Sequence, residues 1–293
     1  MNIIIHRGTH QIGGSAIEIS TASTRIILDF GNELSLDEKY IPINLDIDGV
    51  TKGMPDCDGI VISHYHIDHL GQLTSALPEI PLYMGKLSKE VAMIATEHQD
   101  KDLYLRLLGA NTFRGGEAFT IGNIHIRPLV IDHSAVDSYM FVIEAEGKRV
   151  LYTGDFRMHG LRSHIVEKLV KTYIGEVDVL ITEGTLVSRG VNDGISEAAV
   201  LEDIYSYIQD GKYVFVICSS TNIDRIMGIW QNMPTDKVLI CDAYQKRILD
   251  TVVNNVYYES SLYRRHDSPL VLDKGKYPKY YMDNGFVCLV IAT

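Results

Sequence analysis

The chain has 293 residues, enough for one large domain or two of ordinary size with real apolar cores. Its 46% hydrophobic and 22% charged residues are those of a globular protein, and no apolar run approaches the roughly 20 residues that a membrane helix requires. A net charge of −11 argues against a generally basic nucleic-acid-binding surface, although metal ions can supply positive charge inside a local groove.

The first third reads as short β-branched strands separated by turn residues: Asn2–His6, Ser15–Ser20, Arg25–Phe30 and Gly59–Ser63. A short helix is expected over Leu70–Leu77, stopped by Pro78, and a longer one over Lys86–Leu108, closed by Gly109. Strands return at Ile124–Ile131, Tyr139–Glu146 and Arg149–Thr153, the last two joined by a tight hairpin at Gly147–Lys148. Leu161–Tyr173 reads as a helix and Asp178–Thr182 as a strand. After Glu183 a turn-rich link leads to a helix over Ser196–Gln209, with Ser196 as N-cap. Strand and helix then alternate as Tyr213–Ser219, Asn222–Asn232, Lys237–Cys241 and Ala243–Val253, the pattern of parallel α/β units. A domain boundary is expected between Leu186 and Gly194.

The start of the chain lacks a basic region and a small-residue cleavage site, so it is not expected to be a secretory signal. The cysteines Cys57, Cys218, Cys241 and Cys288 form no CxxC pair and read as free thiols in a reducing cytoplasm.

The informative stretch is "VISHYHIDHLGQL", Val61–Leu73. Imidazoles and carboxylates ligate zinc and similar divalent ions, and alternate residues of an extended segment point the same way. His64 and His66 can therefore reach one ion, while Asp68 and His69 in the following turn can face a second. Paired ions of this kind sit about 3.5–4 Å apart and activate a bridging water. Two further apolar strands end at ligating residues, His133 in "LVIDHSAVDS" and Asp155 in "VLYTGDFRMHG"; the two oxygens of Asp155 could bridge both ions. Asp29, in "IILDFG", is either a turn former or a carboxylate that orients a ligand histidine. His6, His10, His98, His125, His159, His164 and His266 have no such company. Ser219, Ser220 and Thr221 precede a helix start that would suit an anion, with an ordinary N-cap as the alternative.

The runs "SHYHIDHLGQL", "HSAVDSYMFVIEAEGKRVLYTGDFR" and "LITEGTLVSR" resemble the metallo-β-lactamase superfamily, its β-CASP branch, and within it ribonuclease J and close relatives. The resemblance implies an α/β fold: an αββα sandwich over residues 1–187, followed by an incomplete β-CASP α/β domain over 188–293. It implies two divalent ions, zinc or alternatively manganese, the first on His64, His66 and His133, the second on Asp68 and His69, with Asp155 bridging. Asp68 would also hold the attacking hydroxide, and Glu183 would orient a downstream histidine that protonates the leaving group. Ser219, Ser220, Thr221, Asn222 and Arg225 would grip the nucleic-acid backbone. The implied activity is cleavage of RNA in the cytoplasm, with no membrane partner and with homodimers common among relatives.

The family pattern also calls for a further ligand histidine and an acid histidine downstream, and none of the later histidines matches in context. The chain is accordingly expected to stop inside the inserted domain. Two other readings stay open: a hydrolase of a small ester, thioester or lactam on the same fold, and an inactive relative acting as a binding protein.

Overall fold

The computed structural model describes residues 1–34, 43–185, 195–256, 261–263, 268–271 and 279–291. The expected boundary at 186–194 and His266 lie outside the described residues. The chain forms two compact units: Met1–His133, Asp137–Met158 and Arg162–Asn192 in the first, Ser134–Val136, His159–Leu161 and Asp193–Thr293 in the second.

The first unit is built on two sheets. One runs in chain order through β1 (Asn2–Arg7), β2 (Ala16–Ser20), β3 (Arg25–Leu28), β4 (Gly59–Ile62), β5 (Leu82–Gly85) and β6 (Asn111–Phe113). Its first two pairings are antiparallel and the rest parallel. The other sheet has the order β11-β10-β9-β8-β7, from β7 (Phe119–Ile121), β8 (Ile124–Val130), β9 (Tyr139–Ala145), β10 (Lys148–Tyr152) and β11 (Val179–Ile181). Alternation along these strands puts Ile17, Ile19, Ile26 and Leu28 of the first sheet against Ile126, Phe141, Ile143 and Val150 of the second, in one fully enclosed core. Burial at this depth supplies roughly 1.5–3 kcal/mol per large side chain.

Helices cover both outer faces. α2 (Lys86–Thr96) packs on β5 and β6 and is followed by α3 (Lys101–Leu108). On the other side α4 (His164–Leu169) and a π turn at Val170–Ile174 press Val166, Leu169 and Ile174 onto Leu129, Met140, Val142 and Leu151. The four layers are the αββα sandwich expected from the resemblance.

Local details depart from the sequence reading. The single helix expected over Lys86–Leu108 is two, because Asp100 in extended conformation caps a new helix by accepting from Leu103 N–H at 3.0 Å. The helix expected from Leu70 is instead the single turn α1 (Ile67–Leu70), with bends after it. The hairpin turns on Glu146–Gly147, one residue earlier than expected, and both have positive φ (51° and 69°) as a type I′ turn requires. The short strands β5, β6 and β7 carry too little periodicity to be read from the sequence.

The second unit has α5 (Glu197–Asp210), β12 (Tyr213–Cys218), α6 (Ile223–Gln231), β13 (Val238–Cys241), α7 (Ala243–Asn255), β14 (Leu270–Val271), α8 (Lys279–Asn284) and β15 (Phe286–Ile291). Its four strands are all parallel in the order β12-β15-β13-β14, as the strand–helix alternation requires. Ser196 caps α5 through Oγ, which accepts from Ala199 N–H at 3.2 Å. Among the described residues no helix is long and apolar enough to cross a membrane.

Candidate metal centre

The site gathers at the C-terminal ends of β4, β8 and β10, all in the first unit. His64 lies two residues beyond β4, and His66, with φ −71° and ψ 149°, is the N-cap of α1. Their rings meet edge to face, centroids 4.7 Å apart. His64 Nε2 lies 3.1 Å from His66 Nδ1, and His133 Nε2 lies 3.1 Å from the same Nδ1. For a tetrahedral ion bonded at 2.0–2.1 Å, ligand nitrogens stand about 3.3 Å apart. Three ring nitrogens gathered at nearly this spacing make a donor set that fits a divalent ion.

A second set adjoins it. His64, His69 and Asp155 offer ligand atoms within 4.8 Å of one another. His69 Nε2 is 3.2 Å from Asp155 Oδ1 and 3.6 Å from Asp68 Oδ2, while Asp155 Oδ2 lies 4.0 Å from His133 Nε2. One carboxylate thus faces a ligand of each set, as a bridge between two ions must.

Buried partners aim these rings. Asp29 is fully buried and held at φ +56°. Its Oδ2 accepts from His69 Nδ1 (2.7 Å), Ser63 Oγ (2.7 Å) and Tyr152 OH (2.6 Å), and its Oδ1 from Ser63 N–H (2.6 Å). Ser63 Oγ, having given its proton to Asp29, accepts from His64 Nδ1 at 3.0 Å. Asp29 thereby fixes both rings with Nε2 turned to the cluster, resolving its two sequence readings in favour of ligand orientation. A second device joins the other two ligands: buried Asp132 accepts from Arg157 Nε at 3.0 Å and returns a carbonyl bond to Arg157 N–H at 2.9 Å. It ties the turn after Asp155 to the residue before His133.

The electrostatics follow from burial. Burial and neighbouring rings hold His64 and His133 well below the usual histidine range, and burial with His69 nearby brings His66 to about 4. Burial opposes charge on His69 as well, but the carboxylates of Asp29 and Asp155 outweigh it and raise its pKa well above normal. Burial acts against the Asp155 carboxylate, yet its hydrogen bond to His69 and the surrounding rings bring it down to about 2. Burial raises Asp68 and Glu183.

His66, Asp68, His69, Asp155 and Glu183 line one cleft of about 860 Å³, walled opposite by Ile5, Arg7 and the loop to Gly13. Glu183 accepts from Phe156 N–H at 2.9 Å, which braces the Asp155 turn. Ser219–Asn222 lie in the second unit between β12 and α6. Asn222 makes no side-chain cap bond, and its Oδ1 has no partner among the described residues. Arg225 Nε donates to the buried Glu197 carboxylate at 2.6 Å. Sequence reasoning passed over Ser63, Tyr152, Asp132 and Arg157. Adjacency to a ligand was a signal for Ser63 and Asp132; nothing marked the other two.

The family profile for a beta-lactamase superfamily domain matches residues 37–200, more than half of the chain. Endoribonuclease YSH1 of Gibberella zeae is 27% identical over 88% of this chain and 32% of its own length. An RNase J-like protein of Methanocaldococcus jannaschii is 26% identical over 72% of this chain and 49% of its own length. The chain thus spans 32–49% of the length of these curated relatives. A crystal structure of a protein of unknown function from Enterococcus faecalis covers 99% of this chain and 77% of its own with a TM-score of 0.76, at 18% identity, which shows a shared fold. The resemblance read from HxHxDH and the strand-end ligands is borne out: the chain belongs to the metallo-β-lactamase superfamily.

Proposed function

We propose that the chain is the site-bearing part of a metal-dependent ribonuclease. The observation that carries this reading is the pair of abutting donor sets, His64/His66/His133 and His64/His69/Asp155, with Asp68 Oδ2 3.6 Å from His69 Nε2 and Asp155 near His69 and His133. The ribonuclease names of its relatives support RNA as the substrate class. His64, His66, Asp68, His69, His133 and Asp155 would hold divalent ions, zinc or manganese, whose chemistry there would be Lewis-acid polarisation of a phosphoryl oxygen and acidification of water.

The protein's own residues do the rest. Asp68, whose carboxylate lies in the cleft beside His69, accepts the proton of the attacking water. Asp29, through Ser63 and directly, holds His64 and His69 in one tautomer. Glu183 braces the Asp155 turn and lines the cleft, where it steers the group that protonates the leaving oxygen. Ser219–Asn222 and Arg225 contact neighbouring phosphates, Arg225 with the guanidinium nitrogens that Glu197 leaves unengaged.

The test is metal-loaded protein incubated with end-labelled single-stranded RNA and matched DNA. RNA is cleaved, Asp68→Ala slows cleavage by about 10²–10⁴-fold, and the product ladder separates exonucleolytic from endonucleolytic attack. Cleavage at the wild-type rate in the variant refutes the role of Asp68. Failure of the metal-replete protein to cleave RNA while it hydrolyses a small ester or thioester refutes the ribonuclease reading.

A further inference from the structure

We propose that Arg7 anchors a phosphate of the substrate, and that Ile5, Ile12 and Leu34 form the apolar seat for the base beside it. The inference rests on the ribonuclease reading and adds to it where a nucleotide sits.

Arg7 closes β1 after a bulge at Ile5/Arg7, which interrupts the alternation of the strand. Its side chain is 7% exposed and lines the cleft that holds Asp68, His69 and Asp155. Nε lies 3.3 Å from the Glu33 carboxylate and Nη2 donates to Ile43 O at 2.6 Å. Nη1 is enclosed and has no acceptor among the described residues. Folding has desolvated a permanent cation and left one of its donors unused, a cost that an anionic acceptor would remove. The backbone is arranged around it: Gly14 has φ +71°, and a Cβ there would come within 2.6 Å of Arg7 Cδ. In a protein of net charge −11, Arg7 is the sole lysine or arginine among the described residues lining this cleft.

The same wall is apolar. Ile5, Ile12 and Leu34 are 46%, 46% and 49% exposed, all within the cleft. The wall adjoins the metal centre through Gly13, where a Cβ would stand 2.8 Å from Asp68 Cβ and 2.9 Å from Leu34 Cγ. A fixed cation, exposed aliphatic side chains and a hydrolytic cluster in one cleft of about 860 Å³ match a nucleotide: phosphate on the guanidinium, base on the aliphatic wall. A purely apolar ester would offer Arg7 Nη1 no acceptor.

The experiment measures binding, so that cleavage is a separate readout. A fluorescent 2′-O-methyl tetranucleotide is titrated with the full chain by anisotropy at several salt concentrations, with folding followed by thermal melting. Arg7→Gln weakens binding about ten- to hundredfold and lowers the log–log salt slope by about 0.7, the value of one lost phosphate contact on a single strand. Arg7→Lys falls between, because it keeps the charge without the planar fork. Leu34→Ser weakens binding with the slope unchanged. An Arg7→Gln variant with the wild-type slope overturns phosphate anchoring, whatever its affinity. Should Arg7→Gln not fold, Arg7→Lys and Leu34→Ser decide, and wild-type affinity in both overturns the proposal. If wild-type protein cleaves RNA while the Arg7 variants bind normally, the ribonuclease reading stands and this inference falls. If wild-type protein neither binds nor cleaves RNA, both fall.

Discussion

Replacing Asp29 with Asn isolates the charge at the centre of the ligand network. Asn tolerates the left-handed φ of +56° as well as Asp does, so backbone strain does not confuse the result. Asp29 accepts from Ser63 N–H, Ser63 Oγ, His69 Nδ1 and Tyr152 OH, at 2.6–2.7 Å. An amide in either orientation turns some of these acceptances into donor–donor contacts. The two hydroxyls can rotate, but a protonated His69 cannot become an acceptor. Each bond to the buried charge is worth about 1.5–3 kcal/mol, and breaking a buried charged pair costs about 3–5 kcal/mol, so the metal-free variant loses about 3–5 kcal/mol. At about 2–4 °C per kcal/mol for a chain of this size, its melting temperature falls roughly 6–20 °C. Affinity for metal drops about 10–100-fold, because the rings lose the partners that fix their tautomer. Melting in chelator and metal titration by calorimetry read the two effects. A melting temperature within about 2 °C of wild type, together with unchanged metal affinity, would show that shape rather than charge holds the rings.

Metal loading should release close to one proton at pH 7, measured as the heat difference between buffers of different ionisation enthalpy. The lowered pKa values of His64, His66 and His133 leave those rings neutral and ready, whereas the raised pKa of His69 means that its Nε2 must first lose a proton. The metal-free protein should also lose stability on both sides of about pH 6.5, the ordinary histidine value. Below it the unfolded chain takes up protons that folded His64, His66 and His133 refuse; above it folded His69 keeps a proton that the unfolded chain releases. A metal-free stability that climbs steadily from pH 5 to 9 would contradict these assignments. Arg157→Met removes the guanidinium from the buried Asp132 carboxylate, which keeps its bond from Arg162 N–H at 2.9 Å, and should cost about 1.5–3 kcal/mol in a melting experiment, with weaker metal binding because His133 and Asp155 flank the pair. Gly31→Ala places a Cβ 1.6 Å from the Asp68 carbonyl oxygen and should cost about 3 kcal/mol or more. Gly109→Ala, where the nearest atom is 3.9 Å away, should stay within about 0.5 kcal/mol and serves as its control.

The residue order along Val61–Leu73 determined that a cluster of metal-ligating side chain types forms at a strand end, because an apolar strand followed by HxHxDH has few other physical uses. The same local logic, an apolar run and then a polar turn, located His133 and Asp155 at the ends of β8 and β10. Strand–helix alternation after Glu183, a short-range signal, likewise anticipated the all-parallel sheet of the second unit. Tertiary structure alone decided which of these residues meet. Asp29 and Tyr152 lie 123 positions apart and share one hydrogen bond, and only the sandwich brings them together. Whether Asp29 was a turn former or a ligand-orienting carboxylate depended on its burial, which no local pattern encodes. The split of Lys86–Leu108 into two helices came from the cap that Asp100 makes, and the brevity of β5–β7 was set by their places in the two sheets rather than by propensity. Arg7, an unremarkable residue in "IIIHRGTH", became a candidate for substrate contact because it closes a bulged strand, packs on Gly14 and lines the cleft with one guanidinium nitrogen unused among the described residues. Ligand chemistry is carried by residue identity, which a sequence displays; ligand geometry is carried by contacts between distant segments, which exist only once the chain has folded.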